Sequence, residues 1–195
     1  MKSNTISGLS KTILILSGIG LFVCMFVPIW WIYLWAPQYP EGLNMYLYSD
    51  QITGDLDKIN PLNHYIGMKK INASDFWEFT YMNYILAFYG ILCILAAFIK
   101  KRSFLYFVMI LFLLFGIGFM TDFWYWEYDY GHNLADDAAI KIPGMSYQPP
   151  LIGPKDLLNF KAASWPHLGG SIMFAVGVLL FLISVKEFKS AKKES

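Results

Sequence analysis

The stretch TILILSGIGLFVCMFVPIWWIYLW, residues 12–35, decides how the chain is read. It holds no charged residue and exceeds the roughly 20 residues that an α-helix needs to cross about 30 Å of hydrocarbon. Read as one helix, it contains an interior proline, Pro28, which frees the carbonyl of Cys24 and kinks the chain. Trp30, Trp31, Tyr33 and Trp35 then form an aromatic belt at a membrane–water boundary. Ser17, Gly18 and Gly20 in its first half let a neighbouring helix approach closely. The run is longer than the apolar core of a signal peptide and no small-residue cleavage site follows, so it reads as an uncleaved anchor.

Outward from this stretch the same pattern recurs at Thr80–Ile99, Ser103–Phe123 and His167–Val185. With 56% hydrophobic residues, 15% charged residues and a mean hydropathy of +0.44, the chain belongs to the membrane class. The expected fold is an all-α membrane protein with four transmembrane helices, at about 12–35, 74–99, 103–126 and 165–188. The loops 36–73 and 127–164 are expected to form a cap.

The net charge is only +1, but nine of the fifteen basic residues fall at one set of helix ends. These are Lys2, Lys11, the turn Lys100–Lys101–Arg102, and Lys186, Lys189, Lys192 and Lys193. The positive-inside rule makes both termini cytoplasmic and turns both long loops outward. Cys24 and Cys93 lie within apolar runs, which indicates no disulfide framework. The absence of a nucleotide motif, a basic patch, a repeat or a low-complexity segment argues against a nucleic-acid partner; the bilayer is the expected one.

The first long loop opens with turns, and Asn44–Tyr48 alternates as a short strand does. Asn60–Met68 places His64 and Met68 four apart, on one face of a helical turn. The second helix is expected to begin near Ser74, with Asp75 and Glu78 complementing its dipole. Asp122 precedes the belt Trp124, Tyr125 and Trp126, where an ionisable group is costly and therefore a candidate proton or partner contact. Glu127 and Asp129 follow at the surface as further contacts of that kind.

The second long loop is centred on YDYGHNLADDAAIKIPGMSYQPPLIGPKDLLNF, residues 128–160. A bend is expected at Pro143–Gly144. Pro154 suits the start of a short interfacial helix, Lys155–Lys161, carrying Leu157, Leu158 and Phe160. A connection this long is functional or disordered, and its aromatic content argues against disorder. If His64, His132 and His167 converge with Met68 and Met145, the mixture of imidazole and thioether matches copper. The competing reading is that each histidine is simply hydrogen-bonded in a folded loop.

The segments APQYPEGL, LNHYIGM, YGHNL followed by IKIPGMSYQPPLIGPKDLLNF, and WPHLGG resemble the multi-pass membrane proteins called NosB. Members of that family are encoded beside the atypical, clade II nitrous oxide reductase and its copper-maturation factors. The resemblance covers both long loops and the adjoining helix ends. It implies a bacterial cytoplasmic membrane, loops facing the periplasm, and support of a periplasmic copper enzyme or its maturation proteins. That support would be copper binding and delivery, or docking. A structural or electron-transfer subunit without its own metal is the alternative. An enzyme with Asp122, Glu127 and His167 near a quinol or proton path has the least support, because no nucleophile–base or metal-hydrolase motif is present.

Overall fold

A computed structural model describes residues 4–140, 142, 144–157 and 159–193. Lys2, Pro143, Leu158 and Glu194 therefore lie outside the described residues. The architecture turns on what happens at Pro28. Helix α1 (Gly8–Val23) stops five residues before it, and the aromatic run beyond it is strand β1 (Trp30–Ala36). Two physical causes act together: proline supplies no N–H and disfavours helical backbone in the residue before it. The following Trp-Trp-Ile-Tyr-Leu-Trp run is rich in residues that fit a pleated, half-buried surface.

The expectation of an all-α fold is thereby corrected. Helices α3 (Glu78–Ile99), α4 (Arg102–His132) and α5 (Leu168–Lys193) are long and apolar enough to cross a membrane among the described residues. Helix α1 has 16 residues and is about 24 Å long at 1.5 Å per residue. It packs against α3 and α5, and α4 packs against α3 and α5, which completes a four-helix bundle. Gly18 makes the α1–α3 contact close: a Cβ there would lie 2.7 Å from the Gly90 carbonyl oxygen.

At the basic end the N-terminal segment is stitched to the α3–α4 turn. Ile6 donates its N–H to the Lys100 carbonyl at 2.9 Å, and Lys100 turns the chain in the left-handed region at φ 57°. Glu187 of α5 is buried there. It accepts the Ser7 N–H at 3.0 Å and the Ser10 hydroxyl at 2.6 Å, and faces Arg102 Nε at 3.4 Å.

At the opposite end both long loops fold into one antiparallel sheet. Its strands, β2 (Tyr39–Leu47), β3 (Ile52–Gly54), β4 (Gly153–Leu157), β5 (Phe160–Pro166) and β1, lie in the order β3-β2-β1-β5-β4. Strand β1 is central. It forms a hairpin with β2 through Pro37–Gln38, and pairs on its other side with β5 in a register that sets Trp31 opposite Trp165 and Trp35 opposite Lys161. The expected helix Lys155–Lys161 is thus a hairpin of β4 and β5. Gly153 enters it at φ 95°, and the alternate residues Ala162 and Ser164 turn inward as a strand requires.

Three boundaries also shift. Ala73–Asp75 is a 3-10 turn, so the next helix begins at Glu78 rather than near Ser74. Helix α5 begins at Leu168 because the preceding residues belong to β5. Helix α4 continues to His132 and rises into the cap, where Phe123 and Tyr130 join Trp30, Ile32, Leu43 and Met45 in a buried core. Helix α2 (Leu56–Tyr65) closes that core from the side with Ile59.

Cap and bundle meet where the chain passes from α1 into β1 and from β5 into α5. The first N–H groups of α5 have no partner within their own helix, and two carbonyls of the first crossing supply one. Gly169 donates to Pro28 O at 2.8 Å and Gly170 to Ile29 O at 3.1 Å, while His167 N–H also reaches Ile29 O, at 3.0 Å. Glycine at 169 and 170 leaves room for this approach.

Candidate functional site

Helices α3 and α4 are antiparallel about the Lys100–Lys101 turn, so residues whose numbers sum to about 200 stand level with one another. Tyr89 confirms the register by donating its hydroxyl to Leu111 O at 3.0 Å. The same register brings Glu78 level with Asp122, and both acids line one small cavity. Asp122 lies about 32 Å along α4 from Lys101, near the far edge of a 30 Å hydrocarbon layer. Glu78 Oε2 and the Trp126 indole N–H are buried without hydrogen-bond partners, and both residues line a cavity of about 70 Å³ with Ser49, Met82 and Asp122.

The two acids that follow differ sharply. Glu127 is completely buried, and neither of its carboxylate oxygens has a hydrogen-bond partner. Asp129 accepts an ion pair from Lys69 at 2.8 Å and a hydrogen bond from the Asn133 amide, which ties the segment after α2 to α4.

The histidines and methionines fall on separate elements. His64 is exposed in the last turn of α2, and Met68 packs against the cap core. Met68 lines a cavity of about 60 Å³ with Met45, Asn63 and Tyr147, and no histidine lines it. His132 closes α4; its Nδ1 bonds to the Tyr128 carbonyl at 3.0 Å and its ring stacks on that of Tyr128 at 3.9 Å. Met145 is half-buried and donates its N–H to Ile142 O at 3.1 Å. His167 stands at the joint between β5 and α5, edge-on to Tyr46 at 5.6 Å, with Nδ1 buried and without a partner. Among the described residues no group of three or more His, Cys, Asp or Glu side chains is placed to hold a metal ion.

No family model, curated protein or solved structure matches this chain.

The outward face of the sheet carries a different kind of feature. Alternation along β1 sends Trp30 and Ile32 into the core and Trp31, Tyr33 and Trp35 outward. The outward rings form a ladder, with centroids 5.6 Å and then 4.9 Å apart. Each polar tip is tied down. Trp31 donates its indole N–H to Asn44 Oδ1 at 3.0 Å, Tyr33 its hydroxyl to Glu41 O at 3.1 Å, and Trp35 its indole N–H to Pro40 O at 3.3 Å. Gly42, at φ 81°, lies beneath Tyr33, and any Cβ there would collide with the phenol. Trp165 extends the face from β5, and both it and Trp35 remain nearly half exposed, at 44% and 49%.

Two of these features leave a trace in the sequence. Trp31, Tyr33 and Trp35 recur with period two, the mark of a strand face, although a membrane belt has the same composition. Glu78 reads as a dipole-complementing residue until the hairpin register pairs it with Asp122.

Proposed function

We propose that this is a membrane-anchored accessory protein whose cap docks a folded protein partner. The observation that supports this reading is the Trp31–Tyr33–Trp35 ladder, whose polar tips are all satisfied within the sheet. Rings held in this way offer apolar faces without losing rotamer freedom on binding, and large aromatics supply much of the energy of protein interfaces. Helix α4 supports the geometry: its 31 residues, about 46 Å, outrun the hydrocarbon layer and carry the sheet clear of it.

The resemblance to the NosB proteins supplies the setting. The bilayer is then the bacterial cytoplasmic membrane, and the cap faces the periplasm. The partner is nitrous oxide reductase or one of its copper-maturation proteins. Copper is held on the partner's side of the interface in this proposal, and the cap provides position. The basic residues at the other end of the bundle favour the same orientation.

The test is binding of the detergent-solubilised protein to purified nitrous oxide reductase and to its maturation proteins. A Trp31→Ala/Trp35→Ala double variant, shown by circular dichroism to keep its fold, is expected to bind at least about 30-fold more weakly, the loss of one good hot spot. Undiminished binding by that variant, or no binding by the unaltered protein, overturns the proposal.

The Glu78–Asp122 pair favours a second reading, a proton-handling subunit of a membrane complex. In a Glu127→Gln background, which removes the band of that buried carboxyl, the infrared spectrum should then contain a protonated-acid carbonyl band that disappears in both Glu78→Gln and Asp122→Asn. A band that survives either substitution removes this reading.

A further inference from the structure

We propose that the cleft between the cap-side halves of α4 and α5 is a binding site for an acyl chain of one phospholipid. The inference rests on the reading that these helices cross a bilayer. The cleft has a volume of about 860 Å³, within the range of specific small-molecule sites. Its walls run from Phe112 to Trp124 on α4 and from Gly170 to Phe181 on α5. These distances are about 18 and 16 Å along the helices, close to the roughly 15 Å of hydrocarbon in one leaflet.

The ends of the cleft define its occupant. Leu151, Ile152 and Pro166 of the cap line its outer end, and at its inner end the buried Phe112 lies against Gly177. A transmembrane helix of a partner would continue past both ends, whereas a lipid chain of one leaflet fits between them. Thr121 is the single hydroxyl-bearing side chain on the walls, and it already donates to Ile117 O at 2.8 Å. Trp30 donates its indole N–H to Ser164 Oγ at 2.7 Å, which leaves the Trp124 indole N–H as the one unengaged side-chain donor on the described walls, too few for the two carbonyls of a quinone headgroup. The walls are otherwise hydrocarbon and aromatic, and contact on several sides gives an enclosed chain more dispersion attraction than a chain lying on a convex helix surface.

Two glycines make a matched test. A Cβ at Gly116, which lines the cleft, meets nothing within 4 Å, and the same is true at Gly118, which does not line it. A side chain can therefore start from either position without a clash at its Cβ, and leucine at both also gains helix propensity. After extraction from membranes into a mild detergent, native mass spectrometry and phosphorus analysis are expected to find phospholipid retained on the unaltered protein and on Gly118→Leu. Retention on Gly116→Leu is expected to be at least fivefold lower. Equal retention on all three proteins, equal loss from both variants, no phospholipid on the unaltered protein, or a quinone in its place would each overturn the proposal. A chain recovered from the soluble fraction would instead defeat the membrane reading beneath it.

Discussion

Glu187→Ala is expected to destabilise the protein by about 3–5 kcal/mol, the usual result of removing one member of a buried ion pair. The sequence presents this residue as a stray acid in a lysine-rich tail. The fold makes it the point where three chain segments meet. Its side chain is 2% exposed, and its two oxygens gather the Ser7 N–H, the Ser10 hydroxyl and Arg102 Nε. Lys186 adds a contact at 3.8 Å and also donates to the Ser7 hydroxyl at 2.5 Å. Ser7 in turn caps α1 by accepting the Ser10 N–H. Truncation to alanine removes the carboxylate that faces the buried Arg102 and, with the same stroke, a constraint on the start of α1. Chemical unfolding in detergent should show the loss, with Glu187→Gln falling between the two because it keeps acceptor capacity without the charge. An alanine variant as stable as the original would show that the carboxylate contributes nothing net.

Glu127→Met should move stability in the opposite direction, upward by about 1–3 kcal/mol. That is the range for a buried polar group left without hydrogen bonds. Methionine has similar volume and adapts to irregular gaps, so the exchange introduces little strain. Glu127 is as deeply buried as Glu187, but neither of its oxygens has a hydrogen-bond partner, and Lys155 is the charge that acts on it from a distance. The same unfolding assay decides the matter. A loss of stability in the methionine variant would mean that the carboxyl is satisfied by something the chain itself does not provide.

The apolar runs near residues 80–99, 103–123 and 167–185, and the tight basic turn, were legible because transmembrane length and hydropathy are properties of composition. The strand at Asn44–Tyr48 was also legible, since most of it falls within β2, and the helical turn at His64 was visible at the end of α2. The gathering of both long loops into a cap could be anticipated, but its sheet could not. Residues 12–35 show why. Hydropathy does not distinguish an apolar helix from a strand rich in Trp, Ile and Tyr, and the information that separates them lies in Pro28 and in alternation over only six residues. Lys155–Lys161 failed for a related reason. Leu157 and Phe160 have helical spacing, but they face each other across the β4–β5 hairpin, whose second strand is anchored by pairing with β1, remote in sequence. The carboxyl pair and the buried Glu127 depend on contacts between helices, which no single segment of sequence displays.

The double use of Ile29 O, by His167 N–H and Gly170 N–H, has a mechanical consequence. Both direct helix-to-strand crossings, from α1 into β1 and from β5 into α5, pass through this one joint, and β1 is held on both sides by strands from the two loops. At these two crossings the sheet has no slack linker on which to swivel. Torque applied at Trp35 travels down β1 into α1 and across β5 into α5, so that cap and bundle turn together as a lever rather than as a head on a flexible neck.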